Sequence, residues 1–305
     1  MKKVSLMIII CYAAIYLVWG STYFFIKIAV ETIPPFYIIG FRFLFGGSLF
    51  LIISLITGRL KPLPKITEIL SSILLGTLLL IGGNGLITIA EKEVDSYLVA
   101  LIIASTPFIV AFFNRFIFRI RISIIQIIGI LIGVSGVGLL LYDGHSLASS
   151  LKPEIIMVIG GLLSWGFATS LGHRMEVPGD NFVNSGIQML FVGVVSIIGV
   201  SISHPPLAEI YRYFSLRSLI GVLYLAVVGS LAFGAYNYLI SHEPSIRIVS
   251  YSFVNPIIAV LLGFFIGDEK AVPFLIVGLP FILCGLFLML YGEHVLNYIK
   301  KKKSS

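Results

Sequence analysis

The sequence predicts an all-α polytopic membrane protein, in which ten transmembrane helices form two inverted five-helix repeats. Its 305 residues are 58% hydrophobic and only 11% charged, whereas an ordinary soluble domain has roughly 25% charged residues. The apolar residues are gathered into runs long enough to cross a bilayer, which takes about 20 residues per helix. Part of the chain is also written twice at a fixed distance, and such an offset indicates an internal repeat.

The first apolar run, Val4 to Ile28, follows Lys2 and Lys3. It is too long for the core of a signal peptide and no small-residue cleavage site follows it, so we expect a membrane helix that is retained. Short breaks after the fourth and ninth runs predict two tight helical hairpins. The ten predicted spans cover residues 5–28, 36–57, 68–90, 96–118, 122–142, 155–173, 182–203, 218–240, 247–267 and 271–291.

The repeat is clearest where residues 97–142 align with residues 246–291 at an offset of 149 positions and without a gap. Trp165-Gly166 follows Trp19-Gly20 at the similar offset of 146, so we predict that the repeat covers the whole of each half. Repeats of this kind are typical of secondary transporters. The identical pairs in the aligned stretch that weigh most are Pro107 with Pro256, Gly129 with Gly278, Gly136 with Gly285, and Tyr142 with Tyr291.

The number of spans in each repeat decides how the two halves are threaded. Five is odd, so the second repeat must enter the membrane from the opposite side, and the halves are inverted. We place the first repeat at 5–142, the second at 155–291 and a basic cytoplasmic tail at 292–305. Basic residues accumulate in cytoplasmic loops. With the N-terminus inside, fourteen Lys and Arg lie on the inner side and six on the outer side, so both termini are predicted to be cytoplasmic.

Several short motifs resemble those of an EamA-type permease of the drug/metabolite transporter superfamily, and the resemblance covers nearly the whole chain as two EamA repeats. It implies a bacterial inner-membrane protein with ten helices in two inverted halves, which exports or exchanges small metabolites such as amino acids, usually without ATP. In one departure, Ile120 lies at the repeat equivalent of Glu269, so we interpret Glu269 as a loop residue. The motifs are Trp19-Gly20-Ser21-Thr22-Tyr23, Pro34-Pro35-Phe36, Arg42-Phe43, Gly83-Asn84-Gly85, Ala90-Glu91, Asn255-Pro256 and Gly267-Asp268-Glu269.

Polar groups inside a membrane are costly, so each one is a candidate for function. Arg42 could contact an anionic group of the substrate, form a structural ion pair with Glu91 or Asp95, or extend its head to the surface. Asn84 could line a cavity from an unwound turn between glycines, or bind a neighbouring helix. The candidate substrate-binding residues are Trp19, Thr22, Arg42, Asn84, Trp165, Asn237, Tyr238 and Asn255.

Other residues are candidates for movement and coupling. Trp19 and Trp165 lie in mid-span, away from the interfacial belts where Trp is usually found, and could contact an apolar part of the substrate or fill core volume. Pro107 and Pro256 are matched helix breaks and therefore candidate gate hinges. Glu91 is the nearest candidate for proton coupling, although it lies close to the end of a span.

We therefore expect a secondary transporter that works by alternating access, with a channel-like pore or a non-transporting scaffold as the alternatives. No Walker-type loop and no His-Glu-x-x-His motif occurs, so we expect no catalytic residues, no metal and no cofactor. The expected partners are a small-molecule substrate and the lipid bilayer. Nucleic acid is not expected, because the basic residues form no continuous face. Gly129 and Gly133 have the spacing of a close helix contact, which could serve the scaffold or a homodimer.

Overall fold

The computed structural model describes residues 6–142, 152–201, 207–270 and 273–303. These residues form helices joined by turns, and no strand occurs among them. Within these described ranges, nine helices are long and apolar enough to cross a membrane, and a tenth apolar helix, Ile124–Leu140, is shorter at 17 residues. The predicted all-α polytopic fold is confirmed.

The predicted spans each overlap one helix, and their ends agree within a few residues. The exception is the last helix, which continues to Lys303, so the tail predicted over 292–305 is helical as far as it is described. Residues 5, 143–151, 202–203, 271–272 and 304–305 of the predicted spans, linker and tail lie outside the described residues. The helices are α1 Leu6–Val30, α2 Pro35–Ile56, α3 Ile66–Ala90, α4 Ser96–Phe116, α5 Ile124–Leu140, α6 Pro153–Gly172, α7 Asn181–Ser201, α8 Leu216–His242, α9 Ser245–Phe265 and α10 Leu275–Lys303.

Two of the central helices are locally widened. The segment Thr77–Gly85 of α3 and the segment Leu225–Gly229 of α8 are π-helical, a form that is rare and often found at functional sites. The turn around Asn84 is thus a π-helical segment and not the unwound turn that was one of the two alternatives for this residue. The glycine beside it serves close packing, because a Cβ at Gly83 would lie 2.8 Å from the indole ring of Trp165.

The two matched prolines lie at breaks in α4 and α9. In α4 the first segment ends at Ile103 and the second begins at Thr106. Pro107 has no N–H to donate to the carbonyl of Ile103, and the Thr106 hydroxyl donates to that carbonyl instead, at 2.5 Å. Pro256 similarly begins the second segment of α9, after the 3-10 turn Val249–Phe253. The breaks are present as predicted, whereas their use as hinges stays a prediction.

Helices α2 and α7 form one of the two most extensive helix pairs, and their contacts are reciprocal. A Cβ at Gly47 would overlap the backbone of Leu190, and a Cβ at Gly193 would overlap the backbone of Leu44. Gly47 and Gly193 are 146 positions apart, and so are Leu44 and Leu190. Each half therefore makes the same close contact with the other half.

Helices α5 and α10 form the other extensive pair and repeat this reciprocity at the offset of 149. Gly129 packs on the backbone of Gly285, and Gly278 packs on the backbone of Gly136. Small residues let helix backbones approach closely in membranes. The glycine face predicted for the scaffold or a homodimer is thus used within the chain, at least at Gly129.

The remaining six helices surround the centre of the molecule. Helix α1 packs on α8 and α9 of the second half, and α6 packs on α3 and α4 of the first half. The two halves are therefore interleaved, and the space between them is bounded by helices from both.

Candidate functional site

A cavity lies between the two halves, with walls from α1, α2, α3, α4, α6, α8 and α9. Five of the eight candidate binding residues meet on it, although they come from four different helices. Arg42 is the one charged side chain in its lining. The lining residues are Trp19, Thr22, Tyr23, Ile26, Arg42, Phe43, Leu80, Asn84, Ile87, Ile103, Trp165, Gly229, Phe233 and Tyr251.

Arg42 is held at the cavity by Asn84 and Phe43. Its Nη1 donates a hydrogen bond to Oδ1 of Asn84 at 2.9 Å, and its guanidinium carbon lies 4.6 Å from the centre of the Phe43 ring. Its Nε is buried and has no hydrogen-bond partner among the described residues. No ion pair joins Arg42 to Glu91 or Asp95 in the described structure. The side chain is only 4% exposed, so it does not extend its head to the surface.

Four aromatic rings form a cluster at one end of the cavity. The two tryptophans, which occupy matching places in the repeats, meet edge to face with their ring centres 5.3 Å apart. Tyr251 meets Trp19 edge to face with ring centres 5.1 Å apart. The ring centre of Tyr236, which is not part of the lining, lies 4.8 Å from that of Trp19. Such rings present a rigid, flat, largely apolar surface.

The cavity is contracted in this conformation. Its volume of about 50 Å³ is enough for a few water molecules, since one needs roughly 10–15 Å³ on this measure. Sites for small organic ligands are usually about 300–1,000 Å³. A metabolite would therefore enter only after the surrounding helices move apart.

Glu91 follows the end of α3 and lies beyond the cavity lining. The residue is fully buried, and neither carboxylate oxygen has a hydrogen-bond partner among the described residues. Lys27 donates to the backbone carbonyls of Glu91 and Val94, both at 2.9 Å. Burial raises the pKa of the Glu91 carboxyl well above its usual range; Lys27 and Arg42 oppose this shift and the nearby Glu269 adds to it. Glu91 can thus hold a proton where an exposed carboxyl would lose it.

The other three candidate binding residues do not reach the cavity. Asn237 is buried in the C-terminal part of α8, where its amide donates to the Ser185 hydroxyl at 2.9 Å. Tyr238 stacks on His242 near the end of α8, with ring centres 4.0 Å apart. The amide nitrogen of Asn255, in the orientation that satisfies both of its ends, donates to the carbonyl of Tyr16 at 3.0 Å. The contacts of Asn237 and Asn255 each join two helices, whereas Tyr238 and His242 both lie in α8.

Nine of the fourteen lining residues were not among the predicted binding residues, and two of these nine are informative. Gly229 ends the π-helical segment of α8 and lies 146 positions after Gly83, so closer use of the repeat could have found it. Nη2 of Arg42 lies against this glycine, at 3.5 Å from the position of a Cβ, which is an ordinary contact distance. Tyr251 stands in an apolar run and at the repeat position of Ile102, so no signal in the sequence singles it out.

No group of three or more His, Cys, Asp and Glu side chains that could hold a metal ion occurs within the described ranges. The arrangement at the cavity is instead one of binding: one guanidinium, one amide and an aromatic surface.

Comparison with known proteins agrees with this architecture. The model of the EamA-like transporter family matches residues 6–142 and 152–291. The chain is 36% identical over 284 residues to the uncharacterized inner membrane transporter YedA of Escherichia coli (strain K12), covering 92% of this chain and 90% of that protein.

More distant relatives show the same extent of similarity. The uncharacterized transporter YoaV of Bacillus subtilis (strain 168) is 26% identical over 296 residues, covering 94% of this chain and 97% of YoaV. Protein PagO of Salmonella typhimurium is 24% identical over 299 residues, covering 97% of this chain and 96% of PagO. A solved crystal structure superposes with a TM-score of 0.71 at 17% identity, covering 94% of this chain and 97% of that one. At this low identity the superposition shows a shared fold.

Proposed function

Because this chain belongs to the EamA-like transporter family, we propose that it is a secondary transporter that exports or exchanges small metabolites by alternating access. Amino acids and related compounds are the substrates to test first. The chain is a multi-pass inner-membrane protein of a transporter family, and its relatives YedA and YoaV are named as transporters.

One observation carries the proposal: the cavity lies between the two halves and both halves line it. Trp19, Arg42 and Asn84 come from the first half, and Trp165 and Tyr251 come from the second. A site shared in this way changes shape when one half moves against the other. Sites of secondary transporters with repeated halves lie at such an interface.

The reciprocal helix contacts support a mechanism with two related conformations. Five spans in each half imply inverted halves, and inversion makes the conformation open to one side similar in packing to the conformation open to the other. Gly47 and Gly193 make matching contacts across the halves. When the halves move, each glycine can take the packing that the other glycine has now, so no packing is lost. The broken helices at Pro107 and Pro256 would accommodate that movement.

For orientation and coupling we propose that both termini are cytoplasmic and that Glu91 exchanges a proton during the cycle. The excess of basic residues in the predicted inner loops supports the orientation. Two observations support the coupling: Glu91 is completely buried, and its two carboxylate oxygens have no hydrogen-bond partner among the residues that the structure describes. Reporter fusions at the two ends would test the orientation, and an active reporter of the outer side at either end would contradict it.

Counterflow in proteoliposomes tests the transport mechanism. Labelled amino acids and aromatic compounds would be offered to vesicles preloaded with the same compounds, and a carrier shows faster uptake when the other side is loaded. A channel-like pore or a scaffold, the alternatives, would show no such trans-stimulation. We expect Trp19→Ala, Asn84→Ala and Arg42→Gln to reduce the flux.

Arg59→Gln is the matched control for Arg42→Gln. Its guanidinium also lies over a phenyl ring, at 4.7 Å from the centre of Phe182, but it is exposed, pairs with Asp180 and lies outside the cavity. If the three cavity variants moved substrate like the parent at equal expression, the cavity would not be the transport site.

A further inference from the structure

Arg42 is a buried cation that forms no ion pair. Its side chain is 4% exposed, and no carboxylate of the described residues lies within ion-pair distance of it. Glu91 attracts it electrostatically, but from outside the cavity, and the hydrogen-bond partner Asn84 is neutral. A charge inside a membrane is expensive unless it is paired, so a negative charge within the cavity itself would stabilise Arg42.

The polar groups that Arg42 and Trp165 bring to the cavity are donors. Nε of Arg42 has no partner in the part of the chain that the structure describes, and the indole N–H of Trp165 lies within reach of the hydroxyls of Tyr236 and Tyr251. No carboxylate lines the cavity, because the buried Glu91 lies outside it. A ligand with acceptor oxygens would satisfy these donors, whereas an ammonium group would bring further donors and a second positive charge.

The surface next to these donors suits a flat apolar group. Trp19, Trp165 and Tyr251 present ring faces and edges to the cavity, and Phe43 and Phe233 add further rings to its lining. A planar ring packs on such surfaces in offset or edge-to-face arrangements.

We propose that the substrate is an organic anion with a planar apolar body, whose anionic oxygens bind Arg42 and whose body lies on the aromatic cluster. This inference rests on the proposed function, since it treats the cavity as the transport site, and it narrows the substrates to compounds without a compensating ammonium group. A carboxylate, a sulfonate and a phosphate monoester share the required chemistry. Zwitterionic amino acids and cationic amines are disfavoured.

Binding can be measured without transport, because the chain has two tryptophans and both line the cavity. Their fluorescence reports a ligand that contacts the aromatic cluster. Three probes with similar bodies differ in charge: 2-phenylethanesulfonate is an anion, phenylalanine is a zwitterion, and (2-phenylethyl)trimethylammonium is a cation. The sulfonate and the trimethylammonium compound keep their charge at any working pH, so neither crosses the bilayer unaided.

We expect a saturable change in fluorescence with the sulfonate, and apparent affinities at least tenfold weaker for phenylalanine and the cation. Removing one partner of a buried charge pair weakens binding by about 30-fold or more. The affinity of Arg42→Gln for the sulfonate should therefore be lower than that of the parent by that factor. Arg42→Lys keeps the charge without the planar fork and should lose less. Arg59→Gln should bind like the parent.

Folding of each variant is checked by gel filtration and circular dichroism, and Arg42→Lys serves if Arg42→Gln does not fold. The inference is overturned if the sulfonate gives no saturable response, if phenylalanine binds as tightly, or if Arg42→Gln and Arg42→Lys bind like the parent. Counterflow of the same probes separates the two proposals. If the probes show counterflow without a preference for the anion, the anion inference is overturned and the transport function stands. If the anion binds but shows no counterflow, the anion inference stands and the proposed transport function is overturned.

Discussion

The turn after α9 holds a carboxylate that caps another helix, and this contact supports a quantitative prediction. Glu269 accepts hydrogen bonds from the backbone N–H groups of Ser96 and Tyr97, at 3.0 and 3.2 Å. These groups begin α4, where the local cap residue Asp95 makes no side-chain hydrogen bond. Glu269 is a loop residue as expected, but it supplies the missing cap from the opposite half.

The substitution Glu269→Ala removes both of these hydrogen bonds to the backbone of two buried residues. Loss of a helix cap costs about 1 kcal/mol, and a hydrogen bond to a charged group contributes about 1.5–3 kcal/mol. Glu269 is half-buried, so solvent screening reduces the sum. We expect the free energy of unfolding to fall by about 2 kcal/mol, which lowers the melting temperature by roughly 4–8 °C.

Thermal unfolding in detergent, followed by circular dichroism, measures this change. Glu209→Ala is the control, because Glu209 pairs only with Arg212 three residues away and both side chains are exposed. An exposed ion pair contributes about 0–1 kcal/mol, so the control should melt within about 2 °C of the parent. Glu269→Gln keeps a neutral acceptor and should fall between the two. A Glu269→Ala protein that melts with the control would refute the capping role.

Three further perturbations test the packing and the buried polar groups. Gly285→Ala places a Cβ 2.5 Å from backbone atoms of α5, and such overpacking should lower the free energy of unfolding by about 1–3 kcal/mol; Gly138→Ala, with nothing within 4 Å, should not lower the melting temperature. Glu91 has a raised pKa when folded, so stability is lost as pH rises from the usual carboxyl pKa towards the raised one. Glu91→Gln should remove this dependence in melting curves taken across pH, and an unchanged slope would contradict the raised pKa. Asn237→Ala loses the bond to Ser185 and should destabilise by about 1–2 kcal/mol while leaving the apparent KM for counterflow near that of the parent, unlike Asn84→Ala; a large rise in KM would place Asn237 in the transport site.

The position of the spans could be predicted because lipid imposes simple requirements on a sequence. A helix that crosses a bilayer must satisfy its own backbone and present about 20 apolar residues. The runs that we marked therefore coincide with helices, and the charged and turn residues between them coincide with loops. The proline breaks were predictable for a similar reason, because Pro107 and Pro256 lack an N–H wherever the chain places them.

The sequence predicted only some of the contacts between residues of the site. The repeat predicted that Trp19 and Trp165 are equivalent, and the structure shows that they touch. Arg42 and Asn84 were separate candidates, and their hydrogen bond depends on how α2 packs on α3. Asn237, like Asn84, was a candidate as a polar amide within a span, yet its amide binds Ser185 on α7 and it does not line the cavity.

Sequence by itself determined the apolar lengths, the two repeats and the residues whose polarity is unusual in a membrane, since these depend on the chemistry of each segment with its solvent. Tertiary structure alone decided which of those residues share a cavity, that Tyr251 and Gly229 join them, and that Glu269 caps α4. Such contacts depend on the rotation and depth of each helix against its neighbours. Packing sets that arrangement, and nearly uniform apolar runs do not encode it in any local pattern.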